Sequence, residues 1–225
     1  MKKFLVFLFS LFCISLPLIN LVACSNSTNL AVYVSELRKD VFEGENQGYH
    51  LSAGYGFREN PFVNDGKVGK TENLLTFKLK NEQTSDITYT ISLTFNGEQY
   101  ASKFIFSPVS HSLIASVKID NFNLKTFKVT LSYGSNAVDI EMNSTLPNGT
   151  VDYCTALGVL QKEQPQMISS FCDNEGNFNA EIYARVIVKN NKAYWYIGIA
   201  QGMDKLKALL IDGATCEILA IREIF

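Results

Sequence analysis

Ile87-Thr88-Tyr89-Thr90-Ile91-Ser92-Leu93-Thr94-Phe95-Asn96-Gly97 places an apolar side chain at every second position and then stops on a turn dipeptide. Successive side chains of an extended strand point to opposite faces, so the alternation predicts a strand with one dry and one wet face. Asn96-Gly97 supplies the two positive φ angles of a tight hairpin turn, and Tyr100–Phe106 reads as the return strand. The same period of two extends outward in both directions. Tyr49, Leu51, Ala53, Tyr55 and Phe57 alternate with His50, Ser52, Gly54, Gly56 and Arg58. Downstream, Leu113–Ile119, Phe127–Tyr133 and Val138–Met142 repeat the pattern, and strands near Leu30–Arg38 and Leu74–Lys80 bring the total to about eight.

Strands with one apolar and one polar face suit a two-layer antiparallel sandwich. The expected class for residues 30–145 is therefore mainly β, an immunoglobulin-like antiparallel β-sandwich. Asn143-Ser-Thr-Leu-Pro147-Asn-Gly149 breaks the pattern, and Thr150 can cap a helix beyond it, with Asp152 favoured by the positive helix end. Cys154, Leu157, Leu160, Ile168 and Phe171 fall on roughly one helical face, and Pro165 should kink or split the run. Four strands follow, Ile182–Lys189, Ala193–Ala200, Lys205–Ile211 and Glu217–Ile224, with turns at Asn190-Asn191 and Asp212-Gly213. Residues 146–225 are thus expected to form a small α+β domain, a helix on a four-stranded antiparallel sheet.

The N-terminus is of a different kind. Met1-Lys2-Lys3 is positive, and Phe4–Ile19 is apolar and uncharged, shorter than the roughly 20 residues a spanning helix needs. It ends on Leu21-Val22-Ala23-Cys24, which resembles the lipobox of bacterial lipoproteins. The resemblance implies cleavage of a signal peptide, residues 1–23, and a diacylglycerol thioether on Cys24. Two or more acyl chains, each contributing ~0.8 kcal/mol per buried methylene, hold a protein at a membrane durably. Residues 24–29 become a lipidated tether whose polar part, Ser25–Asn29, reaches at most ~18 Å when extended. The expected location is the extracytoplasmic face of the bacterial cell membrane. Losing Lys2 and Lys3 takes the net charge from −2 to −4, so nothing suggests a nucleic-acid surface, and the lipid rather than charge must provide the anchoring.

A second resemblance lies at the other end. Helix, strands and the stretch Leu210-Ile-Asp-Gly-Ala-Thr-Cys-Glu-Ile-Leu219 look like PepSY-type domains, whose last strand enters through a motif close to Asp-Ala-x-Thr-Gly-Glu-Val. Asp212, Thr215 and Glu217 match; Gly213 replaces the usual alanine, and Cys216 stands where the family has a turn glycine. The resemblance implies a regulator or inhibitor of an extracytoplasmic peptidase.

Several chemistries compete with plainer readings. Asn64-Asp-Gly-Lys-Val-Gly69-Lys70-Thr71 nears a phosphate-binding loop, but a strand-like run follows where a helix is required. It reads as a connection, without nucleotide. Asp173–Glu181 is acidic, yet Gly176 is misplaced for a calcium loop, so it reads as a polar link with no metal. Of five cysteines, Cys154, Cys172 and Cys216 remain after Cys13 and Cys24, an odd number that excludes a dense disulfide framework; buried free thiols are the expectation, with one disulfide among the three left open. His50 falls on a polar strand face, and His111 between Ser110 and Ser112 is the best place for a hydrolase centre, without a nucleophile elbow around it. No catalytic residue and no cofactor is assigned. Tyr194-Trp195-Tyr196 is the densest aromatic cluster, Trp195 expected in the core and Tyr194 and Tyr196 as a contact surface on the opposite face. The function these readings favour is a lipid-anchored binding or adaptor protein without catalysis, facing an unidentified protein or cell-envelope partner.

Overall fold

A computed structural model describes residues 29–63, 65–80, 87–202 and 204–224. The leader, the lipobox and Cys24 lie outside the described residues. The chain is mainly β. Nine strands come first: β1 (Val34–Asn46), β2 (Tyr49–Glu59), β3 (Thr71–Lys80), β4 (Tyr89–Phe95), β5 (Glu98–Lys103), β6 (Ile105–Ser107), β7 (Ser112–Lys118), β8 (Thr126–Tyr133) and β9 (Asn136–Ser144). Two short helices follow, α1 (Tyr153–Glu163) and α2 (Pro165–Ser169), then β10 (Glu181–Lys189), β11 (Lys192–Gln201), β12 (Lys205–Asp212) and β13 (Ile218–Ile224). Among the described residues no helix is long and apolar enough to cross a membrane.

All thirteen strands of the described residues belong to one curled sheet. Its main path runs β13-β12-β11-β10-β1-β2-β3-β7-β6, and a branch β5-β4-β8-β9 rejoins it at β1. β1 is where the sheet forks. Along one edge it pairs with β2 throughout. Along the other, Val34–Arg38 run parallel to β10, whereas Phe42 and Glu43 pair antiparallel with β9. The parallel β1–β10 ladder is the exception in an otherwise antiparallel sheet.

Two apolar clusters fill the curl. The first takes Phe42, Leu51, Phe77 and Leu79 from the main path and Ile91, Leu131, Ile140 and Met142 from the branch. The second joins Leu157, Leu160, Ile168 and Phe171 of the helical segment to Ile182, Trp195, Ile197 and Leu209 of the later strands, and it includes Leu30, Val34 and Leu37. Each such side chain contributes about 1.5–3 kcal/mol when fully buried. β1 reaches both clusters because its register slips between Arg38 and Asp40. That slip adds one residue, so Leu37 and Phe42 both point inward although they differ in parity. Gly56 sits opposite, where a Cβ would overlap the Leu37 carbonyl.

The hairpin residues behave as their composition predicts: Asn96 and Gly97 have φ of 50° and 83°, Asn190 and Asn191 of 52° and 58°. Other expectations are corrected. Tyr100–Phe106 is not one return strand. It breaks at Phe104, whose buried ring and amide bond to the Tyr89 carbonyl (2.9 Å) mark the crossing from β5, paired with β4, to β6, paired with β7. Leu30–Tyr33 is a 3-10 turn, and β1 runs on to Asn46. β4 begins at Tyr89, leaving Ile87 exposed. Asp152, not Thr150, caps α1: its Oδ1 accepts from the Thr155 amide at 2.7 Å, and that bond holds its carboxyl below the usual range. The Thr150 hydroxyl instead donates to the Pro147 carbonyl (2.8 Å). Pro165 ends α1 and opens α2 at its first turn, where a missing N–H costs nothing. Cys154 is exposed rather than on the packed face of α1; Cys172 and Cys216 are half-buried, and all three thiols are free.

Candidate functional site

Tyr194 and Tyr196 lie where strand alternation puts them, half-buried on the face of β11 opposite the helices. Trp195 between them is 2 % exposed in the second core, its Nε1 donating to the Val151 carbonyl at 2.9 Å. The open face bearing the tyrosines continues across β10 onto β1 and β2. Arg185 is the cross-strand neighbour of Tyr196, and the rings of Tyr183 and Tyr196 crowd the space over Gly198.

On this face three arginines converge on one carboxylate. Glu36 of β1 is almost covered, its side chain 10 % exposed. Arg185 of β10 grips it with a two-pronged bond, Nε to Oε1 at 2.9 Å and Nη2 to Oε2 at 2.7 Å. Arg38 of β1 and Arg58 of β2 stand 3.9 Å away, one from each oxygen, outside hydrogen-bonding distance. The register enforces the crowding: Arg38 sits directly across the parallel ladder from Arg185, and Glu36 across the antiparallel ladder from Arg58. Like charges directly opposite destabilise a sheet, so Glu36 offsets a repulsion that the strand order creates. Burial lowers the Arg38 pKa, Arg185 and Arg58 push the same way, and Glu36 opposes them. Arginine stays charged in proteins. Glu36 alone faces the three guanidiniums at contact range, while the covered carboxylates of Glu59 and Glu181 bear on the same neighbourhood around Tyr183.

Neighbouring backbone is shaped to these side chains. Gly54 makes room for Arg38: a Cβ there would stand 2.7 Å from Arg38 Cδ. The β2–β3 connection brings Phe62 under the Arg58 guanidinium, 4.2 Å from ring to charge, and to 5.8 Å from the Tyr183 ring. Two covered carboxylates pin that connection. Glu181, fully buried, accepts from the amides of Asp65 and Gly66 at 3.0 Å each, and Glu59 accepts from the Gly69 amide. Tyr183, among these acids, has its phenol pushed up to about 12, first by burial and then by Glu181 and Glu36. It is a neutral hydroxyl at physiological pH. Beside the triad, Arg38 also lines a cleft of about 590 Å³ between β10 and the outer face of β1, β2 and β3, with Glu43, Lys78, Val41 and Ile187 around it.

The other sequence candidates are not drawn into this site. His50 pairs with Glu45 (3.1 Å) at the exposed β1–β2 hairpin. The Ser110 and Ser112 hydroxyls bond each other at 2.6 Å, while the ring of His111 meets Phe106 edge-on. The β2–β3 connection leads into a strand, as its reading as a link requires. Asp173 turns on its own backbone, accepting from the amides of Glu175 and Asn177 at 2.9 Å. Among the described residues no group of three or more His, Cys, Asp or Glu side chains could hold a metal ion. The arginine cluster itself was missed in the sequence. Arg38, Arg58 and Arg185 sit on three strands far apart in the chain, and only the pattern of Arg58 at the end of an alternating run with two glycines hints at unusual backbone there.

No family model, curated protein or solved structure matches this chain.

Proposed function

We propose that this chain is a lipid-anchored, extracytoplasmic binding or adaptor protein without catalytic activity, which meets its partner through the open face bearing Tyr183, Arg185, Tyr194 and Tyr196. The first core then belongs to an immunoglobulin-like sandwich and the second to a small α+β unit, with Cys24 holding both at the bacterial cell membrane. The observation that carries the reading is the arginine cluster: fixed cations and aromatic rings share one uncovered sheet face. Arginine and tyrosine are the side chains enriched where binding energy concentrates. The short tether after Cys24 is in keeping with a partner reachable from the membrane surface.

A regulator or inhibitor of an extracytoplasmic peptidase, acting through a PepSY-like unit, is a second reading. It is supported by the β12–β13 turn, where Cys216 takes a φ of +64°, the conformation for which the family uses glycine.

Two experiments test these readings. Metabolic labelling with a fatty acid, in wild type and Cys24→Ala, should mark the wild type alone. A photo-crosslinking residue in place of Tyr194 on intact cells, followed by mass spectrometry, should then capture a recurrent envelope partner. A peptidase among the captured proteins selects the second reading. Label retained by Cys24→Ala rejects the anchor, and repeated capture of nothing rejects the adaptor.

A further inference from the structure

The face around Glu36 holds more cation than its own anion can satisfy. Arg185 occupies both oxygens of Glu36. The Arg38 and Arg58 guanidiniums stand 3.9 Å from Glu36, and neither makes a side-chain hydrogen bond among the described residues. Each guanidinium carries five N–H donors in a rigid fork that matches a carboxylate. Their side chains are 46 % and 48 % exposed, so the unused donors are open to a ligand from outside. A structural ion pair needs one arginine. A sheet that sets two like charges directly across a ladder breaks a local rule, and such breaches mark functional positions. The surroundings stiffen the pair: Gly54 leaves the groove in which Arg38 lies, and Phe62, held by the pinned β2–β3 connection, stacks on Arg58.

We propose that Arg38, Arg58 and Arg185 form a receptor for a carboxylate side chain of an acidic segment in a protein partner. This rests on the binding-protein reading above and names the chemistry of its partner. The segment is chosen over a free or lipid-borne phosphate by what flanks the charge. Tyr183, Tyr196 and Phe62 border the triad, and Ile187 and Leu210 continue the same face beyond Tyr194 and Tyr196. A chain with an acidic residue between apolar neighbours can place its carboxylate on Arg38 and Arg58 and its flanks on the rings. The overall negative charge of the protein works against loose attraction of polyanions, so binding must be local to the triad.

The test uses full-length protein in mild detergent and a dye-labelled peptide carrying one glutamate between leucines, followed by fluorescence anisotropy. Saturable binding is expected, weakening as salt is raised. The double variant Arg38→Gln/Arg58→Gln should bind about tenfold more weakly or worse. Lys103→Gln, which removes a cation from β5 in the branch, should bind as the wild type does. Arg185→Gln is avoided because it strips Glu36 of its bonded partner, and unchanged Trp195 emission shows that the double variant is folded. Absence of saturable binding, or equal binding by the double variant, overturns the proposal. So does a result in which inorganic phosphate or phosphatidylglycerol vesicles bind through the two arginines while the glutamate–leucine peptide does not. Partner capture on cells that survives the double substitution also overturns the triad's role, yet leaves the adaptor reading standing.

Discussion

Cys216 holds a backbone conformation that cysteine disfavours, at φ +64°. Its neighbours impose it. Asp212 Oδ1 accepts from the amides of Thr215 and Ala214 at 2.9 Å each, bonds that also pull its carboxyl below the usual range, and the Cys216 amide donates to the Asp212 carbonyl at 3.0 Å. A left-handed non-glycine residue costs roughly 1–2 kcal/mol, while glycine loosens the unfolded chain by about 0.4–1 kcal/mol. Cys216→Gly is therefore expected to stabilise the protein by about 0.5–1 kcal/mol, read as a higher denaturation midpoint; a lower midpoint would mean the thiol side chain holds the turn. Gly213 next door shows the limit of reading by motif. Alanine is usual in the resembling family, but here a Cβ would stand 2.8 Å from the Ala193 carbonyl, which accepts the Gly213 amide at the same distance. Asp212 was legible as a turn residue; why glycine follows it was not, because the obstructing carbonyl lies on another strand. Tyr194, Trp195 and Tyr196 were legible in full as to facing, since alternation on a strand is a local rule.

At the scale of elements, the strands that read best were those with unbroken alternation. β8 matches its pattern closely, β4 does so from Tyr89 onward, and the Asn96-Gly97 and Asn190-Asn191 turns adopt the expected angles. β1 read short because the slip between Arg38 and Asp40 changes the phase of its alternation, and a pattern count across a slip averages to nothing. β5 and β6 read as one strand because nothing within Tyr100–Phe106 announces a change of partner; the burial of Phe104 is a tertiary fact. The most consequential element is β1, since Leu37, on the strand that opens the first module, packs with Trp195 in the second core. Leu37→Ala should cost about 2–4 kcal/mol. Followed by the fluorescence of Trp195, the sole tryptophan, its unfolding midpoint should fall clearly. An unmoved midpoint would place Leu37 outside the core that Trp195 reports.

At the scale of the molecule, β1 and β10 join what the sequence divides. Residues 30–145 and 146–225 each carry a cluster of buried side chains, yet the second cluster reaches back to Leu30, Val34 and Leu37, and one sheet runs through both. Units that share a strand cannot unfold apart without leaving a paired edge and an apolar face uncovered. Denaturation is expected to be one cooperative transition, with Trp195 emission and far-ultraviolet circular dichroism giving the same midpoint. Two separate midpoints would show that the cores melt independently.

Local sequence sets the mainly β character, the tight turns at Asn96-Gly97 and Asn190-Asn191, the splitting of the helix at Pro165 and the opposed facing of Trp195 and its tyrosine neighbours. These follow from forces within a few residues: side-chain alternation, the φ range of asparagine and glycine, the missing amide of proline. Tertiary structure alone decided that β1 forks between β9 and β10, and that Arg38, Arg58 and Arg185 meet at Glu36. Parallel pairing between strands so distant in the chain depends on which edges remain free once both cores have closed, and no local pattern encodes it. The arginine cluster stands on that one pairing, for without the β1–β10 ladder Arg185 and Glu36 would not be neighbours.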